Sequence, residues 1–314
     1  MNTKVSVTTG KERRMASART DKAHMDKAHA DTEWPLRHLV LRGLSWSAPD
    51  TPDTAIPIIG LHGWLDNAAT FTRIAPALAQ LAPMHCIDFP GHGHSEHRPP
   101  GQDYVLVDYV ADIADLIDRY FEGPVHIVGH SLGGIVGAMY AASFPDRVGR
   151  LVMIDSLGPL TLPPEKSAAQ LRKGITKRLR GSGAPMTYGA VEDAAKIRAG
   201  GLSPLSSEAA HLLVPRNLRE VEGGYQWRTD ARLRYPSLSR FDEAQVEGFL
   251  KAIESPTLFL RAEDGLLGGR ESWRGRSRLI PDFREVVVPG SHHCHLDGNV
   301  DPVIEAIREF LDPS

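Results

Sequence analysis

Apolar runs of strand length alternate with segments of helical periodicity along this chain, from about Glu33 to the end. Runs such as 58–61 and 151–154 have the composition of strands that are buried on both faces. In the segment 109–120, apolar residues recur at spacings of three and four opposite a row of aspartates, which indicates an amphipathic helix. This alternation predicts an α/β fold, in which helices cover both faces of a mostly parallel sheet. The predicted strands are 36–44, 58–61, 84–88, 125–128, 151–154, 257–260 and 285–288, and further helices are predicted at 132–144 and 303–311.

The composition of the chain argues against some classes of binding partner. The 314 residues, 41% hydrophobic and 24% charged, suffice for a globular protein with a sizeable core. A formal net charge of −3 argues against nucleic acid as a partner, because phosphate binding requires a basic surface. No run of about 20 apolar residues is present, so we predict no transmembrane segment. The N-terminus lacks the apolar core of a secretory signal and the chain has only two cysteines, so we expect a cytoplasmic protein.

Three regions are expected along the chain. Residues 1–31 are rich in Lys, Arg, Thr, Ser and Ala, and we predict a disordered tail because this stretch has too little apolar surface to order itself. The core of the fold is expected to comprise 32–155 and 256–314. The interval 156–255 between them breaks the strand–helix pattern and is too long for a loop.

We interpret this interval, 156–255, as a helical lid over the carboxyl ends of the strands, where substrate specificity would reside. A cluster of basic residues near its start is interpreted as a solvated helix face, with contact to an anionic substrate or membrane surface as the alternative. The cluster consists of Lys166, Arg172, Lys173, Lys177, Arg178 and Arg180.

The pentapeptide Gly129-His130-Ser131-Leu132-Gly133 matches the nucleophile-elbow pattern Gly-x-Ser-x-Gly. It follows the predicted strand 125–128 and opens the predicted helix 132–144, which is the setting that the pattern requires. The serine must occupy a strained turn that exposes its hydroxyl above the sheet edge, and a side chain at either glycine would collide with the neighbouring strand or helix. Ser131 is therefore the predicted nucleophile.

Two further motifs follow the strands at 58–61 and 84–88. They are Gly63-Trp64-Leu65-Asp66-Asn67-Ala68 and Asp88-Phe89-Pro90-Gly91-His92-Gly93-His94-Ser95. With the elbow, they make the chain resemble the α/β-hydrolase superfamily over about residues 36–311 and, within it, the serine hydrolase-like proteins. The histidines of the second motif lack the further convergent donors that a metal site needs, so we predict no metal there. His62, just before the first motif, is interpreted as holding its loop by hydrogen bonds.

The resemblance implies where the remaining catalytic groups lie. The oxyanion hole would consist of the backbone N–H groups of Trp64 and Leu132. The general base would come from the loop after the strand 285–288, where three histidines occur within Gly290-Ser291-His292-His293-Cys294-His295. His292 lies nearest the strand and is the predicted base, while His295 is expected to pack against the turn. Zinc binding by this run would suit neither strand nor helical ligand spacing.

Two carboxylates that follow predicted strands are candidates for the acid that orients the base: Asp155 after 151–154, and Asp264 after 257–260. The commoner place in the superfamily corresponds to Asp264. However, the run Leu-Phe-Leu-Arg-Ala-Glu-Asp-Gly at 258–265 resembles the haloalkane dehalogenases, in which the acid comes from the earlier strand and proline occupies the position of Asp264. This second resemblance favours Asp155, with Asp264 as the alternative.

The dehalogenases and epoxide hydrolases of this fold use a carboxylate nucleophile, so Ser131 excludes their chemistry and favours acyl transfer to water. We therefore expect a small-molecule carboxylic ester as substrate, with a thioester or amide as alternatives, and neither cofactor nor metal ion. A non-catalytic small-molecule receptor is the rival from another class, because fold alone does not determine function. A cofactorless perhydrolase or acyltransferase is a further alternative.

Overall fold

The computed structural model describes residues 29–49, 51–52, 54–267, 273 and 275–312. The strands are β1 (Ala30–Pro35), β2 (Val40–Trp46), β3 (Ile58–Leu61), β4 (Met84–Asp88), β5 (Val125–His130), β6 (Val148–Ile154), β7 (Leu218–Val221), β8 (Gly224–Trp227), β9 (Thr257–Asp264) and β10 (Phe283–Ser291). Eight of them form one sheet in the order β1-β2-β4-β3-β5-β6-β9-β10. The pairs from β4 to β10 are parallel, whereas β1 and β2 add an antiparallel edge.

Helices pack on both faces of this sheet. They are α1 (Ala75–Leu78), α2 (Leu106–Tyr120), α3 (Leu132–Ser143), α4 (Ser167–Arg180), α5 (Val191–Ala199), α6 (Ser207–Leu213), α7 (Glu243–Lys251) and α8 (Asp301–Leu311). Successive side chains of a strand point to opposite faces. In β6, Leu151 and Met153 pack with α2 and α3, while Val152 and Ile154 pack with α1 and α8. The predicted α/β fold is confirmed. Among the described residues, no helix combines the length and hydropathy needed to cross a bilayer.

Helix α3 lies in backbone contact with the strands that it covers. A Cβ atom at Gly133 would lie 1.9 Å from the carbonyl oxygen of Leu61 in β3. A Cβ atom at Gly129 would lie 2.5 Å from the carbonyl group of Gly133. Both distances are far below van der Waals contact, so only glycine fits at these two positions. The first turn of α3 is thereby held directly above the end of β3.

The segment between β6 and β9, residues 156–255, is called the insertion. It contains α4 to α7 and has an apolar cluster of its own, formed chiefly by α5 and α6 together with Leu218. It also contains a hairpin, β7–β8, which the sequence analysis did not predict. The hairpin turns at Gly223 and Gly224, whose φ angles of 84° and 136° are accessible to glycine and strained for other residues. The four-residue strands are too short to produce a clear alternating pattern.

The antiparallel edge differs from the sequence expectation. One strand was expected at 36–44, but a turn separates β1 from β2 there. Residues 1–28 of the predicted tail lie outside the described residues, and the tail's last positions, Ala30 and Asp31, belong to β1. Asp31 pairs with Leu44 in the sheet and its carboxylate lies 2.9 Å from Arg216. Backbone pairing and this ion pair thus give an ordered structure to polar residues that composition alone assigned to the tail.

We predict that Gly133→Ala will destabilise the fold by at least about 4 kcal/mol, because the new methyl group overlaps the Leu61 carbonyl and neither backbone can yield cheaply. Gly248→Ala is the matched control. Gly248 also lies in a helix, α7, but a Cβ atom there would meet nothing within 4 Å. The control should be stabilised by about 0.5–1 kcal/mol. Urea unfolding of both variants tests this, and equal stabilities would contradict the packing argument.

Candidate active site

Ser131 occupies the sharp turn between β5 and α3. Its φ and ψ angles are 51° and −111°, a conformation that residues with a side chain rarely adopt. Its backbone N–H donates to the carbonyl oxygen of Ile154 at 3.1 Å, and its own carbonyl accepts from Ile135 at 3.1 Å. These bonds, together with the glycine contacts of α3, hold the strained turn in place. The hydroxyl therefore stands at the carboxyl ends of β5 and β6.

His292 follows directly after β10, and the structure brings it to Asp155. Its Nδ1 lies 2.6 Å from Asp155 Oδ2, and both side chains are buried. Because a carboxylate oxygen accepts, Nδ1 is the donor in this contact, and Nε2 is the nitrogen left to accept a proton. Asp155 Oδ2 also accepts from the backbone N–H of Leu266 at 2.9 Å. Asp264, by contrast, is exposed at the end of β9.

Gly265 is a residue that the sequence analysis missed. In the sheet β9 lies between β6 and β10, so the Asp155 carboxylate must pass over the end of β9 to reach His292. A Cβ atom at Gly265 would lie 2.4 Å from Asp155 Oδ1. A glycine one position past a strand end is an ordinary turn signal, and only the strand order reveals that it makes room for a carboxylate.

The two predicted oxyanion donors belong to the loop after β3 and to the start of α3. Leu132 is the first residue of α3, so its backbone N–H has no acceptor within the helix. Trp64 lies in the loop after β3, and its indole Nε1 donates to the carbonyl oxygen of Leu233 in the insertion at 3.1 Å. Both residues line the same cavity as Ser131 and His292.

Backbone strain concentrates at this site. The described non-glycine residues with positive φ are Leu65 at 65°, Ser131 at 51° and Asp155 at 43°. Each such conformation costs about 1–3 kcal/mol and persists only where surrounding structure imposes it. One of the three follows Trp64, and the other two are the candidate nucleophile and acid. The sequence carried no signal for the strain at Leu65 and Asp155.

The other histidines near the site have different partners. His62 Nδ1 donates to the Gly63 carbonyl at 2.7 Å, and its Nε2 accepts from the N–H of Phe89 at 2.9 Å. Burial lowers the pKa of His62, so it stays neutral. His295 Nε2 lies 2.9 Å from the Thr70 hydroxyl. These contacts tie loops together.

Asp88, at the end of β4, organises the turn that follows. Its Oδ1 accepts from the N–H of Ala68 at 2.7 Å, and its Oδ2 accepts from the N–H of His94 at 2.9 Å. The guanidinium of Arg216, from the insertion, lies 2.8 Å from Oδ2. The Gly- and Pro-rich motif after β4 is therefore a buried turn, braced by one carboxylate.

Among the described residues, one group of side chains has the donor set for a metal ion. Asp66, His130 and His293 are buried, and their ligand atoms all lie within 4.8 Å of one another. Sequence reasoning missed this group because its members come from three distant segments.

A cavity of about 1660 Å³ connects these groups. One side is formed by the core and includes Ser131 and His292. The opposite side is formed by the insertion, which contributes the exposed apolar side chains of Met186, Ile197 and Leu202. The candidate nucleophile and base thus face a space large enough for an extended small molecule.

Comparisons with known proteins agree with this architecture. A family model described as alpha/beta hydrolase fold matches residues 56–183. A serine hydrolase-like protein of Danio rerio is 31% identical over 92% of this chain and 90% of its own length. A hypothetical protein of Pseudomonas aeruginosa PAO1, of known structure, is 37% identical with a TM-score of 0.82, covering 90% of this chain and 98% of its own. The thioesterase domain of the curacin biosynthetic pathway, at 22% identity and a TM-score of 0.76 over 91% and 99% of the two chains, shares the fold.

The strain at Ser131 leads to a stability prediction. Ser131→Gly and Ser131→Ala both remove the hydroxyl, but only glycine relaxes the backbone at φ 51°. Relief of about 1–3 kcal/mol exceeds the roughly 0.4–1 kcal/mol that glycine costs through the unfolded chain. We expect the glycine variant to be the more stable of the two by about 1 kcal/mol, measured by chemical denaturation. An alanine variant of equal or higher stability would show that the turn is unstrained.

Proposed function

This chain belongs to the serine hydrolase-like family of the α/β-hydrolase superfamily, and on that premise we propose that it hydrolyses a carboxylic ester through an acyl-enzyme on Ser131. The fold and the curated relatives are those of hydrolases.

The observation that carries the proposal is the 2.6 Å contact between His292 Nδ1 and Asp155 Oδ2, at the wall of the cavity that also exposes Ser131. A carboxylate in this place holds the imidazole in the tautomer whose Nε2 accepts a proton. It also stabilises the imidazolium that forms when the proton arrives. Asp155 is therefore the proposed acid, and Asp264 is the rejected alternative.

In the proposed reaction His292 takes the proton of Ser131 as the hydroxyl oxygen attacks the ester carbonyl. The tetrahedral oxyanion is held by the N–H groups of Trp64 and Leu132, where α3 also presents the positive end of its dipole. Collapse releases the alcohol, which takes its proton from His292. A water molecule, deprotonated by His292, then cleaves the acyl-enzyme and frees the acid.

We propose that the insertion acts as a lid and selects the acyl group. Its exposed apolar side chains at the cavity wall, Met186, Ile197 and Leu202, suit an apolar acyl chain better than a charged one. Hydrolysis of p-nitrophenyl esters of graded acyl length would identify the preferred chain.

A fluorophosphonate probe tests the enzyme proposal, because it forms a stable adduct with an activated serine. We expect the native protein to be labelled and Ser131→Ala to lose all labelling. Ser239→Ala is the matched control and should be labelled fully, since Ser239 is an exposed serine of the same cavity wall. A native protein that resists the probe would overturn the proposal and favour the small-molecule receptor.

The choice of acid has its own test. Asp155→Asn should lower kcat by up to about 10⁴-fold, because the imidazole can then adopt the wrong tautomer. This corresponds to roughly 5 kcal/mol of transition-state stabilisation. Asp264→Asn should have a small effect, since Asp264 is exposed on β9. Both variants are assayed on one activated ester, with a thermal melt to detect unfolding. A severe loss confined to Asp264→Asn would reassign the acid.

A further inference from the structure

Three buried side chains meet behind Ser131 and His292. Asp66 comes from the loop after β3, His130 ends β5, and His293 lies in the loop after β10. Their ligand atoms, one from each residue, all lie within 4.8 Å of one another. All three residues also border the cavity.

The hydrogen bonds of His130 determine which of its nitrogens carries the proton. Its Nε2 lies 2.9 Å from the carbonyl oxygen of His292, and a carbonyl can only accept, so Nε2 is protonated. Its Nδ1 is buried without a hydrogen-bond partner, and it lies 3.8 Å from Asp66 Oδ2. In the tautomer with the proton on Nε2, this nitrogen is a lone pair that faces a carboxylate oxygen.

The two contacts of His293 Nε2 require opposite protonation of that nitrogen. Its Nε2 lies 2.9 Å from Asp66 Oδ2, which requires a proton on Nε2, and 3.1 Å from Arg198 Nη2, which requires a lone pair there. No tautomer satisfies both contacts. Arg198 Nη2 also lies 3.0 Å from Asp66 Oδ1, so its guanidinium partly compensates the buried carboxylate. A compact cation between the three ligand atoms would be a partner for His130 Nδ1, His293 Nε2 and the Asp66 carboxylate together.

We propose that a transition-metal dication of the Zn²⁺ type binds between Asp66 Oδ2, His130 Nδ1 and His293 Nε2, in competition with Arg198. Two imidazoles and one carboxylate are a donor set that suits Zn²⁺ and its neighbours, whereas Mg²⁺ and Ca²⁺ prefer oxygen ligands alone. Three protein ligands leave a fourth position, which would face the cavity. Arg198, which comes from α5 of the insertion, would have to withdraw from these atoms.

The consequence for activity rests on the proposed function. The ring centroid of His292 lies 4.6 Å from that of His130 and 5.2 Å from that of His293. His292 thus packs against two of the three proposed ligands, and its carbonyl oxygen lies 2.9 Å from His130 Nε2. A metal ion that fixes His130 and His293 is therefore expected to change the rate at which Ser131 reacts.

Calorimetric titration of the full, tag-free chain with ZnCl₂ tests the site without any assay of activity. We expect one tight site per chain, and MgCl₂ should give no comparable heat. His293→Gln should weaken Zn²⁺ binding more than about tenfold, since it removes a direct ligand. Arg198→Gln should instead tighten binding about tenfold, because the metal no longer has to break a charge-assisted hydrogen bond. His97→Gln is the control for adventitious binding, since His97 is a half-exposed histidine outside the group.

The variants distinguish binding at the proposed site from adventitious binding elsewhere. Unchanged affinity in His293→Gln, equal weakening in His97→Gln, or weaker binding in Arg198→Gln would each overturn the proposal. If His293→Gln fails to fold by thermal melt, the Arg198→Gln comparison still decides. The rate of fluorophosphonate labelling with and without ZnCl₂ then tests the coupling between the metal site and Ser131. A protein that binds Zn²⁺ in the expected pattern but is never labelled retains the metal site and loses the proposed esterase function.

Discussion

The backbone contact between α3 and β3 is the constraint on which the candidate active site depends. A Cβ atom does not fit at position 133, because the carbonyl group of Leu61 occupies that space. With the helix start held there, the chain leaving β5 must reverse within one residue, and Ser131 takes the strained conformation that results. The strain is offset by burial of the flanking strand and helix, and it places both a hydroxyl and a free helix N-terminus at one point.

The order of the strands in the sheet determines how Asp155 reaches His292. Asp155 and His292 follow β6 and β10, which are separated in the sheet by β9. Their contact therefore crosses the end of a strand. It is possible because Gly265 leaves that end clear, and it is braced by the N–H of Leu266. A carboxylate on β9 itself, such as Asp264, would have a shorter path along the sheet but lies exposed at its surface.

The insertion is joined to the core at points where charges are buried. Arg216 lies against Asp88, and Arg198 lies against Asp66. Burial by itself raises the pKa of Asp66, yet His293 and Arg198 lower it well below its usual range, so the carboxylate stays ionised. A buried ionised group that loses its partner is strongly destabilised. Arg198 thus links the insertion to the core through a buried, ionised carboxylate.

Much of this protein follows from local sequence. The sequence predicts the alternation of strands and helices, the strand–turn–helix setting of Ser131 and the position of His292 just past a strand. Each of these features depends on a few consecutive residues. The sequence did not predict three strands: β7 and β8, which are short, and β1, which is polar. These strands are ordered by pairing with a neighbouring strand and not by their own composition.

Tertiary structure decided what depends on residues distant in the chain. It brought Asp155 and not Asp264 to His292, because strand order and the clearance at Gly265 are properties of the assembled sheet. It also gathered Asp66, His130 and His293 around one point, although 227 positions separate the first from the last. A sequence specifies which donors exist, but the distances that let them share a proton or a metal ion arise only when the sheet forms.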